Sequence, residues 1–281
     1  MAWQLLTGIS VITLSISVLL QRLLLHQDKS DPVAYGIVFQ ALVGIILLCY
    51  ALVAGFHGLD FAKYWFPILS TFLLYAVGTV VGAFTLRNVQ ASIYSILFAT
   101  NAIWVAAISL PLFHVSITPL QLLGIALIFA STAFLFEYTG KFKFDRGVLL
   151  GLLTGFIYGL ATVAWVYIDK HADPASWSAI SFIGPALVLL IAKPASVRKM
   201  KPFLNRSTLI RMTFLGILYS ISALTVLLAY KHGNAALIAP LQQTSIITTV
   251  VLAIIFLRER NRLWQKAIAT LICFIGVLLV V

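Results

Sequence analysis

The sequence predicts an all-α integral membrane protein of ten transmembrane helices, arranged as two inverted five-helix repeats. Three observations predict it. The 281 residues are 62% hydrophobic and only 10% charged, with a mean hydropathy of +1.05, whereas soluble domains carry about 25% charged residues. The apolar residues fall in unbroken runs close to the roughly 20 residues that a tilted helix needs to cross the hydrocarbon layer. The second half of the chain also echoes the first at a nearly constant offset. A membrane β-barrel is excluded, because the runs lack the alternation of period two that lipid-facing strands require.

Taken in order, the first run covers about 3–25. Its N-terminal MAWQLLTGIS has no basic n-region and no small-residue cleavage site, so it is expected to be a retained span and not a signal peptide. Further spans are expected over about 33–55, 65–86, 91–112, 119–137, 147–168, 175–192, 208–230, 235–257 and 263–281. Asp31-Pro32, Thr118-Pro119 and Asp173-Pro174 each put a capping side chain before a proline suited to the first helical position. The ninth span is unusual. Pro240 lies near its start, the polar cluster Gln242 to Ser245 follows, and the run stops at Arg258-Glu259-Arg260. A proline and an amide pair inside a span are tolerated only where protein or a water-filled cavity covers them, which marks this span as cavity-lining. Glu259, set among arginines, is expected to pair locally at the surface. Cys49 and Cys273 fall inside spans with no disulfide or metal spacing, and are expected to be small core residues.

Charge gives the orientation. The net charge is +11, but the basic residues sit in short loops between spans, which is the pattern of membrane topology and not of nucleic-acid binding. All of the 19 lysines and arginines except Lys63, Lys170 and Lys231 belong to the loops, with their flanks, after spans one, three, five, seven and nine. By the positive-inside rule those loops face the cytoplasm and both termini lie outside, in a bacterial-type inner (plasma) membrane.

Shifting the ninth span back by 144 residues superposes Ala235 on Ala91, Tyr219 on Tyr75, Gln265 on Gln121, Lys231 on Arg87 and Ser245 on Asn101. Leu153-Thr154-Gly155 echoes Leu6-Thr7-Gly8 at an offset of 147, and Asp173-Pro174 echoes Asp31-Pro32 at 142. The repeats are placed at residues 1–140 and 141–281. Five spans per copy invert the second copy in the membrane, an arrangement used by transporters.

At this point the chain resembles the drug/metabolite transporter superfamily, EamA-type. The resemblance rests on ten spans in two halves, on Ala235, Pro240 and Leu257-Arg258-Glu259-Arg260 with Gly276 in the last span, and on Asn88-Val89-Gln90-Ala91-Ser92 leading into span four. It implies transport, often export, of metabolites, drugs or amino acids. The first half departs from the family pattern, with Pro111 to Val115 where a glutamate often stands, so a symmetrical pair of glutamates is not implied.

Polar side chains inside spans are the candidate site residues, because hydrocarbon burial without partners is costly. Span one places Ser10, Thr13, Ser17 and Gln21 on one face. Spans three and eight add Tyr75, Thr79, Tyr219 and Ser222, and span four adds Tyr94, Asn101 and Trp104. Span six adds Tyr158 and Trp165, with Thr154 and Thr162 on the same face, and span nine adds Gln242, Gln243, Ser245 and Thr249. Read as substrate-binding residues, these line a central cavity between spans 1, 3, 4, 6, 8 and 9. Read as packing, the hydroxyls and rings join helix to helix. Trp177, near a span end, is expected as an interface anchor. Gly147, Gly151, Gly155 and Gly159 form a smooth stripe for close helix approach, and Gly78 and Gly82 a shorter one. Arg87 and Lys231, repeat-equivalent at opposite faces, are either gate-side charges that meet a substrate or cations complementing a helix C-terminus.

Absences narrow the function. The eight acids and five histidines all lie at or near span ends, so no midplane carboxylate is available to hold a proton or a cation. No nucleophile–base grouping or metal cluster suggests an enzyme, and no cofactor or metal is expected. The sequence therefore reads as a secondary transporter or exporter of a small neutral or zwitterionic, amino-acid-like metabolite. It is expected to work by alternating access, without buried-acid proton coupling, and to act as a monomer, with a dimer left open. Its expected partners are that small molecule and the lipid bilayer, not nucleic acid. The alternatives are a non-transporting membrane subunit or lipid-carrier flippase component, and a nucleotide-sugar or organic-anion exchanger.

Overall fold

A computed structural model describes residues 2–26, 31–113, 118–137, 146–169, 171–232, 238, 241–242, 244–259 and 261–280. Among them the regular structure is helical: α1 Ala2–His26, α2 Pro32–Ala54, α3 Trp65–Asn88, α4 Ala91–Phe98, α5 Asn101–Phe113, α6 Pro119–Glu137, α7 Arg146–Asp169, α8 Pro174–Ala192, a 3-10 helix Pro194–Met200, α9 Arg206–His232, α10 Thr244–Phe256 and α11 Leu263–Val280. Six of these, α1, α2, α3, α7, α8 and α9, are long and apolar enough to cross a membrane, and shorter apolar helices run over Ala91–Val105, Pro119–Ser131, Thr244–Phe256 and Leu263–Leu279. The protein is a multi-pass membrane protein.

The expected helix starts form by the expected chemistry. Asp31 Oδ1 accepts from the amides of Val33 (3.0 Å) and Ala34 (3.2 Å). Asp173 Oδ2 accepts from the Ser176 amide (2.8 Å) and hydroxyl (2.7 Å). Thr118 and Gln121 exchange amide-to-side-chain bonds of 3.3 and 3.0 Å, a reciprocal capping box. Gly55 closes α2 at φ 100°, where a side chain would be strained.

The expected fourth span, 91–112, is not one helix. It breaks at Ala99-Thr100 into α4 and α5. The Thr100 hydroxyl bonds back to Leu97 O (2.7 Å), and the Thr100 amide takes the same carbonyl at three-residue spacing (3.2 Å). Gly155 presses on the break: a Cβ there would lie 2.3 Å from Thr100 Oγ1. Of the ninth span, Leu241, Gln242 and α10 are helical, while Pro240 and Gln243 lie outside the described residues.

Helices pair most extensively as α6–α11, α2–α8, α1–α9 and α3–α7, followed by α5–α7 and α1–α10. Glycine permits the closest approaches. A Cβ at Gly184 would lie 2.4 Å from the Phe72 ring, and one at Gly276 2.8 Å from Gly124 O. The outer surface is apolar, with Val53, Ile191, Phe256 and Trp264 exposed, as suits contact with lipid chains. Two expectations fail here. Trp177 is no interface anchor: it is fully buried, stacked on Phe72 at 6.4 Å, with its indole N–H donating to Trp165 O (3.2 Å). Cys49 is exposed, in the C-terminal part of α2, while Cys273 is buried as expected.

Candidate functional site

The helices bring rings together in two chains. Tyr75 of α3 meets Tyr158 of α7 edge-on (centroids 5.6 Å), Tyr158 meets Phe98 at the end of α4 (5.2 Å), and Phe98 stacks on Tyr94 (5.7 Å). Opposite, Tyr35 stacks on Phe39 of α2 (5.7 Å), Phe39 meets Tyr219 of α9 (5.2 Å), and Tyr219 meets Phe182 of α8 (5.7 Å). Tyr94 and Tyr219 both pack against the core cluster that contains Tyr35 and Phe39, which joins the two chains. The ring contacts of this cluster involve no acidic or basic side chain. Small residues make the room. A Cβ at Gly78 would lie 3.0 Å from the Tyr158 ring, and one at Gly82 3.3 Å from the Tyr94 hydroxyl.

A hydrogen-bond chain crosses this cluster. Gln40 Nε2 donates to Thr79 Oγ1 (2.6 Å), which shares a hydrogen bond with the Tyr158 hydroxyl (3.3 Å). Gln40 Oε1 and the Tyr35 hydroxyl are buried and have no hydrogen-bond partner among the described residues. An unsatisfied buried polar atom is costly, so these two groups hold a spare acceptor and a spare donor beside the packed rings. Chemically the site is uncharged and aromatic, with amide and hydroxyl handles.

Of the residues singled out from sequence, Tyr75, Thr79, Tyr94, Tyr158 and Tyr219 meet in this cluster. Ser10 and Ser222 meet each other instead, Oγ to Oγ at 3.0 Å, and join α1 to α9. The Ser245 carbonyl accepts from Ser15 (3.2 Å) on the α1–α10 seam. Asn101 begins α5 against the glycine stripe of α7, its carbonyl 3.1 Å from where a Gly159 Cβ would stand. Trp104 sits on that seam, edge-on to Phe156 at 4.7 Å and 36% exposed. Trp165 bonds Ser181 (3.2 Å) and belongs to a separate cluster with Trp177 and Ile68. Gln242 Nε2 is buried without a partner among the described residues. Gln243 and the Lys231 side chain lie outside what is described, and Arg87 is exposed on a cleft between α3 and α7.

Sequence reasoning missed α2 and α8. Tyr35, Phe39, Gln40 and Phe182 belong to the cluster, yet the expected cavity drew on neither helix. Gln40 was the available signal, since it is an amide in the middle of an otherwise apolar span.

The second feature lies at the basic end of the bundle, and it overturns the surface placement of Glu259. Left-handed Arg258 (φ 54°) turns the chain after α10, and the Glu259 side chain enters the protein, only 7% exposed. Its carboxylate accepts from the Ala91 amide (2.9 Å), the Ser92 amide (3.1 Å) and the Ser92 hydroxyl (2.5 Å), which caps the N-terminus of α4. Lys266, equally buried, lies 3.9 Å away and donates to Gln90 Oε1 and to Glu259 O (2.9 Å). Arg22 of α1 reaches the C-terminus of α3, donating to Leu86 O and to Arg87 O (2.8 Å). Negative charge at a helix N-terminus and positive charge at a C-terminus are both favourable. Together these contacts bind α1, α3, α4, α10 and α11 at one end.

Comparison with known proteins agrees with this architecture. A crystal structure 13% identical in sequence superposes with a TM-score of 0.64 over 99% of this chain and 96% of its own, a likeness of fold. An uncharacterized protein of Methanocaldococcus jannaschii is 27% identical over 137 residues, which is 48% of this chain and 96% of that protein. Residues 145–281 match the EamA-like transporter family. Over those residues, just under half of the chain, this bundle of apolar helices is similar to a family of the drug/metabolite transporter superfamily.

Proposed function

We propose that the protein is a ten-span secondary transporter, built as two inverted five-helix repeats over residues 1–140 and 141–281, that carries a small neutral or zwitterionic, amino-acid-like metabolite by alternating access. α4 and α5 together form the fourth span. The helix pairing supports the repeat. With spans numbered one to ten, exchanging the halves turns pair 1–8 into 6–3, pair 1–9 into 6–4 and pair 2–8 into 7–3, while 2–7, 4–9 and 5–10 map onto themselves, and all of these pairs are in contact. The contact between Ser10 and Ser222 has its repeat-equivalent in Ile157 and Gly78, where a Cβ would stand 3.3 Å from Ile157 Cγ2. The archaeal relative also spends nearly its whole length on half of this chain. The basic loops set both termini outside an inner membrane.

The observation that carries the substrate class is the tyrosine cluster with Gln40 Oε1 and the Tyr35 hydroxyl unpartnered. Rings take the apolar part of a solute, the two polar groups fix its orientation, and no fixed charge selects an ion. Purified protein in proteoliposomes is expected to show counterflow with members of an amino-acid panel. Failure of every member to accelerate exchange overturns the amino-acid-like reading. Transport abolished by collapsing a proton gradient and restored by imposing one overturns the absence of proton coupling.

A further inference from the structure

A cleft of about 390 Å³ opens at the basic end of the bundle between α3 and α7, lined by Phe84, Arg87, Asn88, Arg146 and Leu150. Its geometry follows from Gly147. A Cβ there would lie 2.6 Å from Val89 Cγ1 and 3.4 Å from Asn88 Cβ, so its absence lets the N-terminus of α7 press on the C-terminus of α3. Arg146 and Arg87 thereby come to one cleft. Both are exposed, and neither guanidinium has a hydrogen-bond or ion-pair partner among the described residues. Asn88 Nδ2 is tied to Phe84 O (2.6 Å), which fixes the amide at the rim. One turn deeper into the bundle, Phe84, 39% exposed, and Leu150 supply apolar walls.

We infer that this cleft seats an anionic phospholipid, its phosphodiester between Arg87 and Arg146 and an acyl chain along Phe84 and Leu150. Arg87 alone is explained by the C-terminal dipole of α3. Arg146 is not, because it stands at the first residue of α7, where the dipole disfavours a cation, and a bound anion reverses that. Guanidinium groups recognise phosphate oxygens through paired N–H donors. A soluble phosphate would meet the same donors and leave the apolar walls unused, whereas a lipid uses both. Basic groups at the ends of spans meet anionic head groups in the leaflet.

The test is native mass spectrometry of the full chain released from micelles carrying phosphatidylglycerol or phosphatidylcholine with the same acyl chains. Wild type is expected to retain phosphatidylglycerol in preference by roughly 10- to 30-fold, the effect of two basic groups on one anionic head group. Arg87→Gln with Arg146→Gln is expected to cut the preference to about twofold or less, with Arg87→Lys and Arg146→Lys keeping part of it. Arg146→Gln alone, at an exposed position with no partner among the described residues, gives an independent reading at a site that buries no side chain. An unchanged preference in these variants overturns the site. So does an equal loss in Arg198→Gln with Lys201→Gln, in the basic segment at the end of the 3-10 helix that packs on α2 and α8. Displacement of phosphatidylglycerol by an equal concentration of inorganic phosphate shows a free-anion site and overturns the lipid.

Discussion

Replacing Glu259 tests whether the basic end of the bundle is held by a buried carboxylate. Ala91 and Ser92 are fully buried, and the carboxylate is the partner that takes both of their amides. Each buried amide left without an acceptor costs about 1–3 kcal/mol. Lys266 keeps two other acceptors, Gln90 Oε1 and Glu259 O, so the full cost of orphaning a buried cation does not apply. Glu259→Ala is therefore expected to destabilise the fold by about 2–4 kcal/mol, counting the amides once and allowing for some water entry. Glu259→Gln keeps a carbonyl acceptor and the shape but loses the charge at the α4 N-terminus and toward Lys266, for a cost of about 1–2 kcal/mol. Arg258→Ala, at an exposed neighbour, serves as control and is expected within about 0.5 kcal/mol of wild type. Reversible unfolding by SDS titration in mixed micelles measures all three. A Glu259→Ala chain within about 0.5 kcal/mol of wild type refutes the reasoning, as does an alanine variant no weaker than the glutamine variant.

Three further outcomes are expected. Gln40→Leu removes the donor to Thr79 and the free acceptor together, and should raise the KM for the transported solute about 3- to 10-fold, the worth of one neutral hydrogen bond, in a chain that still purifies as wild type. Gly155→Ala puts a methyl 2.3 Å from Thr100 Oγ1, which is already tied to Leu97 O, and should cost about 1–3 kcal/mol by SDS titration. Gly8→Ala, at the repeat-equivalent position with nothing within 4 Å, should be neutral or mildly stabilising. Burial raises the Asp31 carboxyl, but its bonds with Lys199 and with the Ala34 and Val33 amides outweigh that and leave it below its ordinary value. A depressed folded value stabilises above the unfolded pKa near 3.9 and is lost as pH falls through the folded one. Thermal stability of wild type should therefore drop below about pH 4 by more than that of Asp31→Asn. The difference should be about 1 kcal/mol or less, because Lys199 is 58% exposed.

Much of the bundle was legible because the bilayer constrains it so strongly. Apolar run lengths gave the spans to within a residue or two at most ends, and the Asp-Pro and Thr-Pro pairs gave starts that the structure confirms bond by bond. What stayed hidden depended on partners far apart in sequence. The break at Ala99-Thr100 follows from the α7 glycines, 55 residues downstream of Thr100 at Gly155. Glu259 looked solvent-facing because its neighbours are arginines, and nothing local says that a left-handed Arg258 turns it onto Ala91, 168 residues away. The same limit applies to the site. Four tyrosines were found as polar rings in apolar spans, but Tyr35 and Phe39 read as ordinary α2 packing until α9 brings Tyr219 against them.

The inverted duplication proposed above would give the protein two similar faces, with the differences between them set by side chains. At an offset of 144, Glu259 falls on Val115, Ser92 on Ala236 and Lys266 on Leu122. Glu259, Ser92 and Lys266 thus have apolar counterparts in the other repeat, while Gln90, which accepts from Lys266, falls on Asn234. The main helix pairs map onto one another when the halves are exchanged, yet among the described residues the α4 N-terminus capped by Glu259 and the buried lysine each occur in one repeat only. Under the alternating access proposed above, opening the face that holds them exposes or breaks charge-assisted bonds that have no equivalent among the described residues of the other repeat, so the two openings would differ in free energy. The difference is on the scale of the Glu259 variants. The glutamine substitution, which keeps the shape and removes the charge, should therefore shift the population of the two states before it unfolds the bundle. Accessibility of a cysteine introduced at Ser92 to a membrane-impermeant maleimide should rise in the Glu259→Gln chain relative to wild type. Equal labelling in the two chains would mean that the carboxylate secures the fold and not the closure of that face.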